Sequence, residues 1–228
     1  MFKIVLEYPL WVLSEKVRVL ENPVLQDILL RLRDKNTDYP EFRRLMTKAG
    51  VYIGYEIASE LDVTKEKVET PLNTEAEGIK VKDEDIAVIA ILRAAIPLAM
   101  GILETLERAK LGVISAKRVE EEDAQSKGFD MEVDVGYLGL PSSAKDIILT
   151  DPMLATGSTM AKIIRILKER YPYRKIFIAS VISTKLGIQR VLEAEPEAVV
   201  YTLAVDPILN KKAYIVPGLG DAGDRSFG

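Results

Sequence analysis

Asp151 and the hydroxyl-bearing run Thr156-Gly157-Ser158-Thr159 follow directly on the apolar stretch Ile147-Ile148-Leu149-Thr150. Three hydroxyls, a glycine that lets backbone come close, and the N–H groups at a helix start form a cradle suited to a dianionic phosphate. The acid a few residues earlier is spaced to reach the hydroxyls of a sugar, or a cation bound to that sugar, while the loop holds the 5′-phosphate. No Gly-Lys-Ser or Gly-Lys-Thr occurs in the chain, so this is not the P-loop of nucleoside triphosphatases. Thr156 to Thr159 would also serve as plain helix caps. The preceding Leu149-Thr150-Asp151 favours a ribose 5-phosphate group.

Three further segments could contribute chemistry. Arg93 ends the buried-looking run Ile89-Ala90-Ile91-Leu92, where a guanidinium needs either an internal salt bridge or a bound anion. Lys117-Arg118 precedes the acidic run Glu120-Glu121-Glu122, which taken by itself reads as a solvated turn with weak ion pairs, Lys117 among the solvated residues. The C-terminal stretch from Ala213 to Arg225 places glycines around Asp221 and Asp224, and such density lets backbone touch a flat ligand. Asp224 and Arg225 are spaced for a local ion pair, and Tyr214 could stack on a ligand or pack into the core.

Asp151-Pro152-Met153-Leu154-Ala155-Thr156-Gly157-Ser158-Thr159 resembles the phosphoribosyl diphosphate motif of phosphoribosyltransferases, in the Asp-Pro version of the uracil phosphoribosyltransferases. The tail Tyr214-Ile215-Val216-Pro217-Gly218-Leu219-Gly220-Asp221-Ala222-Gly223-Asp224-Arg225 is similar to that family's base-binding segment, and Ile91-Leu92-Arg93-Ala94 to its diphosphate loop. The family's usual Gly is replaced by Ala95, and its Gly-Met-like pair by Ile96-Pro97.

The resemblance implies transfer of a phosphoribosyl group to uracil with Mg2+ as cofactor. It assigns Asp151, Arg93 and Asp221 to catalysis, and Arg93, Arg118, Asp151 to Thr159 and Asp221 to phosphoribosyl diphosphate. Uracil would be read by Tyr214, Ile215, Gly220, Asp221 and Ala222, largely through main chain, since an amide edge matched by backbone groups rejects analogues that leave one unpaired. Glu120 to Lys127 reads as a solvated hairpin tip, or, under the resemblance, as a flap over the reacting centre. The resemblance further implies a homodimer or homotetramer and a nucleotide effector such as GTP. The Arg43, Arg44 and Lys48 cluster, near Arg31 and Arg33, is a solvated face, an oligomer seam or the site of that effector. Two rivals are a phosphoribosyltransferase for another base and a non-catalytic nucleotide-sensing regulator on the same fold.

Elements that would position these residues follow from pattern. Unalternating β-branched runs mark central parallel strands at 86–92, 112–116, 131–138, 146–150, 175–182 and 198–204. Helices are expected at 95–110, 158–171 and 186–194 between them. Ahead of these come a helix opened by Asn22-Pro23, a second helix over 41–61, and a short hairpin around 73–78. This alternation predicts an α/β fold, a mostly parallel sheet with helices on both faces. We expect one domain over 1–228, comprising a helical extension (1–65), a catalytic core (66–205) and a base-binding hood (206–228).

Composition narrows the chemistry. The 228 residues are 48% hydrophobic and carry a net charge of −4, ample for a core and no invitation to nucleic acid. Cysteine and histidine are both absent, which removes disulfides, thiolate catalysis and the commonest general base. Displacing diphosphate from a sugar relies more on oxygen-bound magnesium and charge stabilisation than on such a base. No stretch approaches the roughly 20 apolar residues of a membrane span. Glu7 falls where a signal sequence would still be apolar, so a cytoplasmic protein is expected.

Overall fold

The computed structural model describes residues 15–118, 124–126 and 128–228. In chain order the elements are β1 (Val17–Val19), α1 (Pro23–Arg33), α2 (Tyr39–Ala58), β2 (Val63–Glu69), β3 (Glu75–Val81), β4 (Ile86–Leu92), α3 (Ile96–Thr105), β5 (Lys110–Arg118), β6 (Val133–Gly139) and β7 (Asp146–Thr150). They continue with β8 (Met153–Leu154), α4 (Ser158–Arg170), β9 (Lys175–Ala179), β10 (Ile182–Thr184), α5 (Lys185–Ala194), β11 (Val199–Thr202), β12 (Ala204–Asp206), β13 (Ile208–Leu209), β14 (Ile215–Val216) and α6 (Ala222–Phe227).

Local chemistry explains the helix starts. Asn22 accepts the Val24 N–H at 2.9 Å with Pro23 in the first turn, and Asp38 accepts the Glu41 N–H at 2.9 Å ahead of Pro40. The second helix therefore begins at Tyr39, earlier than the apolar periodicity alone suggested, because a capped Asp-Tyr-Pro turn is itself a helix start.

Seven strands form the main sheet in the order β1-β11-β9-β7-β4-β5-β6. Every pair is parallel except β5 with β6. The expected mostly parallel sheet is thus observed. Alternate residues of β4 feed two cores, as a strand covered on both faces requires. Ile86, Val88 and Ala90 join a cluster with Phe42, Leu45, Leu98 and Ile102 from α2 and α3. Ala87, Ile89 and Ile91 join another with Met160, Ile163, Leu167, Ile188 and Val191 from α4 and α5.

Several boundaries differ from expectation. The runs expected as single strands at 175–182 and 198–204 each divide, at Ser180 and Leu203, and their ends join β8 in a three-stranded parallel sheet, β12-β10-β8. Hydroxyls satisfy the bend: Ser180 Oγ accepts the Leu154 N–H at 3.2 Å and donates to Ile182 O at 3.0 Å. The helix expected over 95–110 stops at Thr105, and Lys110 already pairs with Ala87 in the sheet. The hairpin is longer than the short one expected, with β2 and β3 paired from Val63↔Val81 to Glu69↔Glu75. The N-terminal extension is not purely helical, because β1 adds an edge strand parallel to β11.

Candidate active site

Along the sheet, the chain passes from β4 to β5 on one side and returns to β7 on the other. The C-terminal ends of β4 and β7 thus flank a topological switch point, where open α/β sheets leave a ligand crevice. A cavity of ≈ 780 Å³ lies there. Arg93 follows β4, Asp151 follows β7, and both line it. Met153, Leu154, Ala155, Thr156, Gly157 and Thr159 line it from the loop that leads into α4.

That loop is shaped by α5 as much as by its own residues. Gly157 adopts φ 77°, and a Cβ there would lie 2.6 Å from Gly187 O, so both its conformation and its contact exclude a side chain. Thr184, the N-cap of α5, donates to Ala155 O at 2.6 Å and accepts the Gly187 N–H at 3.0 Å. Gly157 offers α4 no side-chain cap, Thr156 Oγ1 accepts the Ser158 N–H at 3.3 Å, and Thr159 and Met160 of the first turn face the cavity. A helix start of this kind attracts an anion through its N–H groups and dipole. Asp151 Oδ1 accepts the Met153 N–H at 3.2 Å, an Asx turn that orients the acid beside the loop. Pro152 is buried, and its carbonyl accepts from the N–H groups of Val181 and Ile182, both at 3.0 Å. Its role is to anchor the strand bend.

The tail closes the opposite side. β13 and β14 pair through Leu209↔Ile215, and Asn210 Oδ1 accepts the N–H groups of Lys212 and Tyr214, both at 3.0 Å. Lys212, Tyr214, Asp221, Gly223 and Asp224 line the cavity. Tyr214 stays 45% exposed, so of its two readings the structure places it at the cavity and not in the core. Asp221 caps α6 by accepting the Asp224 N–H at 2.9 Å. Among the described residues, Ile215, Gly220 and Ala222 are not part of the lining; Ile215 and Ala222 are 8% and 0% exposed.

The expected Asp224–Arg225 ion pair does not form. Consecutive residues on a helix point to different faces, and here Asp224 meets Arg93 at 2.8 Å while Arg225 turns back onto the carbonyls of Leu32, Leu219 and Asp34. Burial lowers the Arg225 pKa, and its guanidinium lies 4.3 Å from the Phe42 ring centre. The Leu92–Arg93 peptide before the cavity arginine is cis. Lys117 is exposed, as its solvated reading expects, and borders the open cavity, whereas the Arg118 side chain and flap residues 120–123 and 127 lie outside the described part.

Of the basic cluster assigned to an effector or a seam, Arg31 and Arg44 both bond Glu41, Arg43 donates to Ser226 O at 2.6 Å, and Arg33 pairs with Asp206 at 2.7 Å. Lys48 is exposed. Among the described residues no cluster of three or more His, Cys, Asp or Glu is arranged around a metal. Asp151 and Asp221 nevertheless line one cavity, while Asp224 there is engaged by Arg93. That donor set suits Mg2+, which keeps several waters and binds one or two carboxylates together with substrate phosphates. Nor is any described helix long and apolar enough to cross a membrane.

A mostly parallel sheet with a hydroxyl-bearing loop and an acid at its switch point is the architecture of a phosphoribosyltransferase-type fold. Adenine phosphoribosyl transferase from Trypanosoma brucei shares it with a TM-score of 0.52 at 11% identity, over 83% of this chain and 84% of that one. The match to the AQ2163 protein from Aquifex aeolicus has a TM-score of 0.83 at 29% identity, covering 92% of this chain and 97% of that one. The family model for uracil phosphoribosyltransferase matches residues 19–228. Proteins named uracil phosphoribosyltransferase from Sulfolobus acidocaldarius and Sulfurisphaera tokodaii are 47% and 45% identical over 213 residues, 92% of this chain and 98% of each relative. The chain belongs to the uracil phosphoribosyltransferase family.

Proposed function

We propose that this enzyme transfers the 5-phosphoribosyl group of phosphoribosyl diphosphate to uracil, giving UMP and diphosphate. The observation that carries the reading is the meeting, on one cavity, of Arg93, Asp151, the Ala155–Thr159 loop and the tail around Asp221. The loop seats the 5′-phosphate, and Asp151 stabilises positive charge on the sugar as the bond from C1′ to the diphosphate oxygen breaks. Arg93, joined by Arg118 on the family pattern, takes up negative charge on the departing diphosphate. Main-chain groups of the tail at Asp221 and Gly223, with Tyr214 beside them on the cavity lining, aim uracil N1 at C1′; the new bond forms there as N1 gives up its proton to solvent. Asp151 and Asp221 would hold Mg2+ with the substrate oxygens, and the ion would supply neutralisation of diphosphate charge. Positioning and preorganised electrostatics are the terms such a site can supply.

In this reading residues 1–228 act as one phosphoribosyltransferase domain in the cytoplasm, assembled as a homodimer or homotetramer. Exposed Arg44 and Lys48 are the candidates for a nucleotide effector. Radiolabelled uracil incubated with phosphoribosyl diphosphate and Mg2+ should yield UMP, with hypoxanthine, orotate and cytosine giving far less product. Preference for another base would overturn the uracil assignment, and absence of product with all four would favour the non-catalytic regulator.

A further inference from the structure

Arg190, on α5, sits at the junction of the phosphate loop and the segment leading into β6. Its Nη1 donates to Thr156 O and Ser158 Oγ, both at 3.0 Å, and to Phe129 O; its Nη2 donates to Gly128 O at 2.9 Å. One guanidinium thus fastens two backbone turns that share no strand pairing. Ser158 Oγ completes the junction by accepting the Met131 N–H at 3.3 Å.

The same segment reaches the tail. Phe129 N donates to Ala124 O at 2.9 Å, Ala124 N donates to Lys211 O at 2.9 Å, and Ala124, Met131 and Ala213 form a small buried cluster. Lys212 and Tyr214, on either side of Ala213, line the cavity. A continuous set of contacts therefore runs from the phosphate loop through Arg190 and residues 128–131 to the tail. Ser158 is the member with two claims on it, since a phosphate on the loop would take the hydroxyl hydrogen that Ser158 Oγ now donates to Phe129 O at 3.5 Å. When that exchange occurs, Arg190 is what keeps the Gly128–Phe129 turn attached.

We propose that Arg190 is a positioning residue that couples occupancy of the phosphate loop to base binding by the tail, through residues 128–131. The inference rests on the assignment of loop and tail made above. Such a path is established only by a measured coupling between the two ligands.

The test is calorimetry of the full chain with uracil, alone and in saturating ribose 5-phosphate. In the native protein ribose 5-phosphate should tighten uracil binding by about fivefold or more. In Arg190→Met that factor should fall to within about twofold of unity, with uracil alone binding within about threefold of native. Arg190→Lys, which keeps the charge but not the fork of donors, should fall between them. Gly128→Ala supplies the independent arm: its φ is 63° and a Cβ would meet nothing within 4 Å, so it strains the turn without crowding it. It should lose coupling with Arg190 intact, and it decides the matter if Arg190→Met does not fold. Coupling retained in Gly128→Ala or Arg190→Met, a parallel weakening of both ligands at unchanged coupling, or no coupling in the native chain would overturn the proposal. UMP formation by the native chain, measured alongside, tests the function separately.

Discussion

Asp151 lines the cavity while its Oδ1 accepts the Met153 N–H, so one side chain serves both turn geometry and the site. Asp151→Asn keeps the acceptor and removes the charge. Turnover should fall about 10²–10³-fold while calorimetry finds uracil affinity within about threefold of native; retained turnover would make Asp151 a structural residue. At Gly157 the demand is conformational. An alanine there meets a left-handed backbone that costs roughly 1–2 kcal/mol and a Cβ 2.6 Å from Gly187 O. Gly157→Ala should therefore raise the KM for phosphoribosyl diphosphate about tenfold or more and leave that for uracil nearly unchanged, read from initial rates with each substrate varied. Asp151 and Gly157 were legible from residue type and order. Lys117, Lys212, Gly223 and Asp224 were not, because their place at the cavity depends on which way a strand residue faces and where the tail folds back.

The strands carrying the site are tied at their other ends by charge. Asp146 opens β7 with its side chain 2% exposed, and Arg174, just before β9, meets it at 2.5 Å. Arg174 also reaches Asp62 at 3.0 Å, and Lys145 meets Asp62 at 2.7 Å. Arg174→Met would leave the buried Asp146 carboxylate without its cation, and denaturant unfolding should register a clear loss of stability. Hydrogen bonds from Lys145 and then Arg174 lower the Asp62 pKa from 3.8 to about 2. Because the folded value lies below the unfolded one, this contribution is complete above pH ~4 and disappears as pH falls toward 2. Acid titration of stability should fall more steeply over that window in the native protein than in Asp62→Asn; identical slopes would remove Asp62 from the account. Strand and helix existence was readable from apolar runs and caps. The breaks at Ser180 and Leu203 were not, since a β-branched run looks the same whether its end stays in one sheet or bends into another.

Across the whole molecule, the first helices serve as the floor on which the tail is set. Arg33 joins Asp206 at 2.7 Å and donates to Gly218 O at 2.7 Å, while Asp206 accepts the Gly218 N–H at 2.9 Å. Arg225 stacks over Phe42 and holds carbonyls from both α1 and the tail. Arg225→Ala removes part-buried charged hydrogen bonds and a ring contact together, and thermal unfolding should report a loss of about 2 kcal/mol. The KM for uracil should rise more than that for phosphoribosyl diphosphate, because the tail loosens while the phosphate loop, braced by α5, stays in place. Equal effects on both would mean that α1 and α2 support the whole sheet and not the tail in particular.

Read alone, the order of residues determined the alternating α/β class, the hydroxyl-bearing loop with its acid, the arginine after β4 and the glycine-rich tail. These are local properties: a buried strand, a cap, a left-handed turn and a close backbone approach each demand particular residue types over a few positions. Tertiary structure decided the rest. Only the return of the chain from β5 to β7 makes Arg93 and Asp151 neighbours, only the bracing of the loop by Gly187 and Arg190 explains its shape, and only the fold-back of the tail turns Asp224 toward Arg93. Such contacts join residues far apart in sequence, and no local propensity encodes which distant partner will arrive.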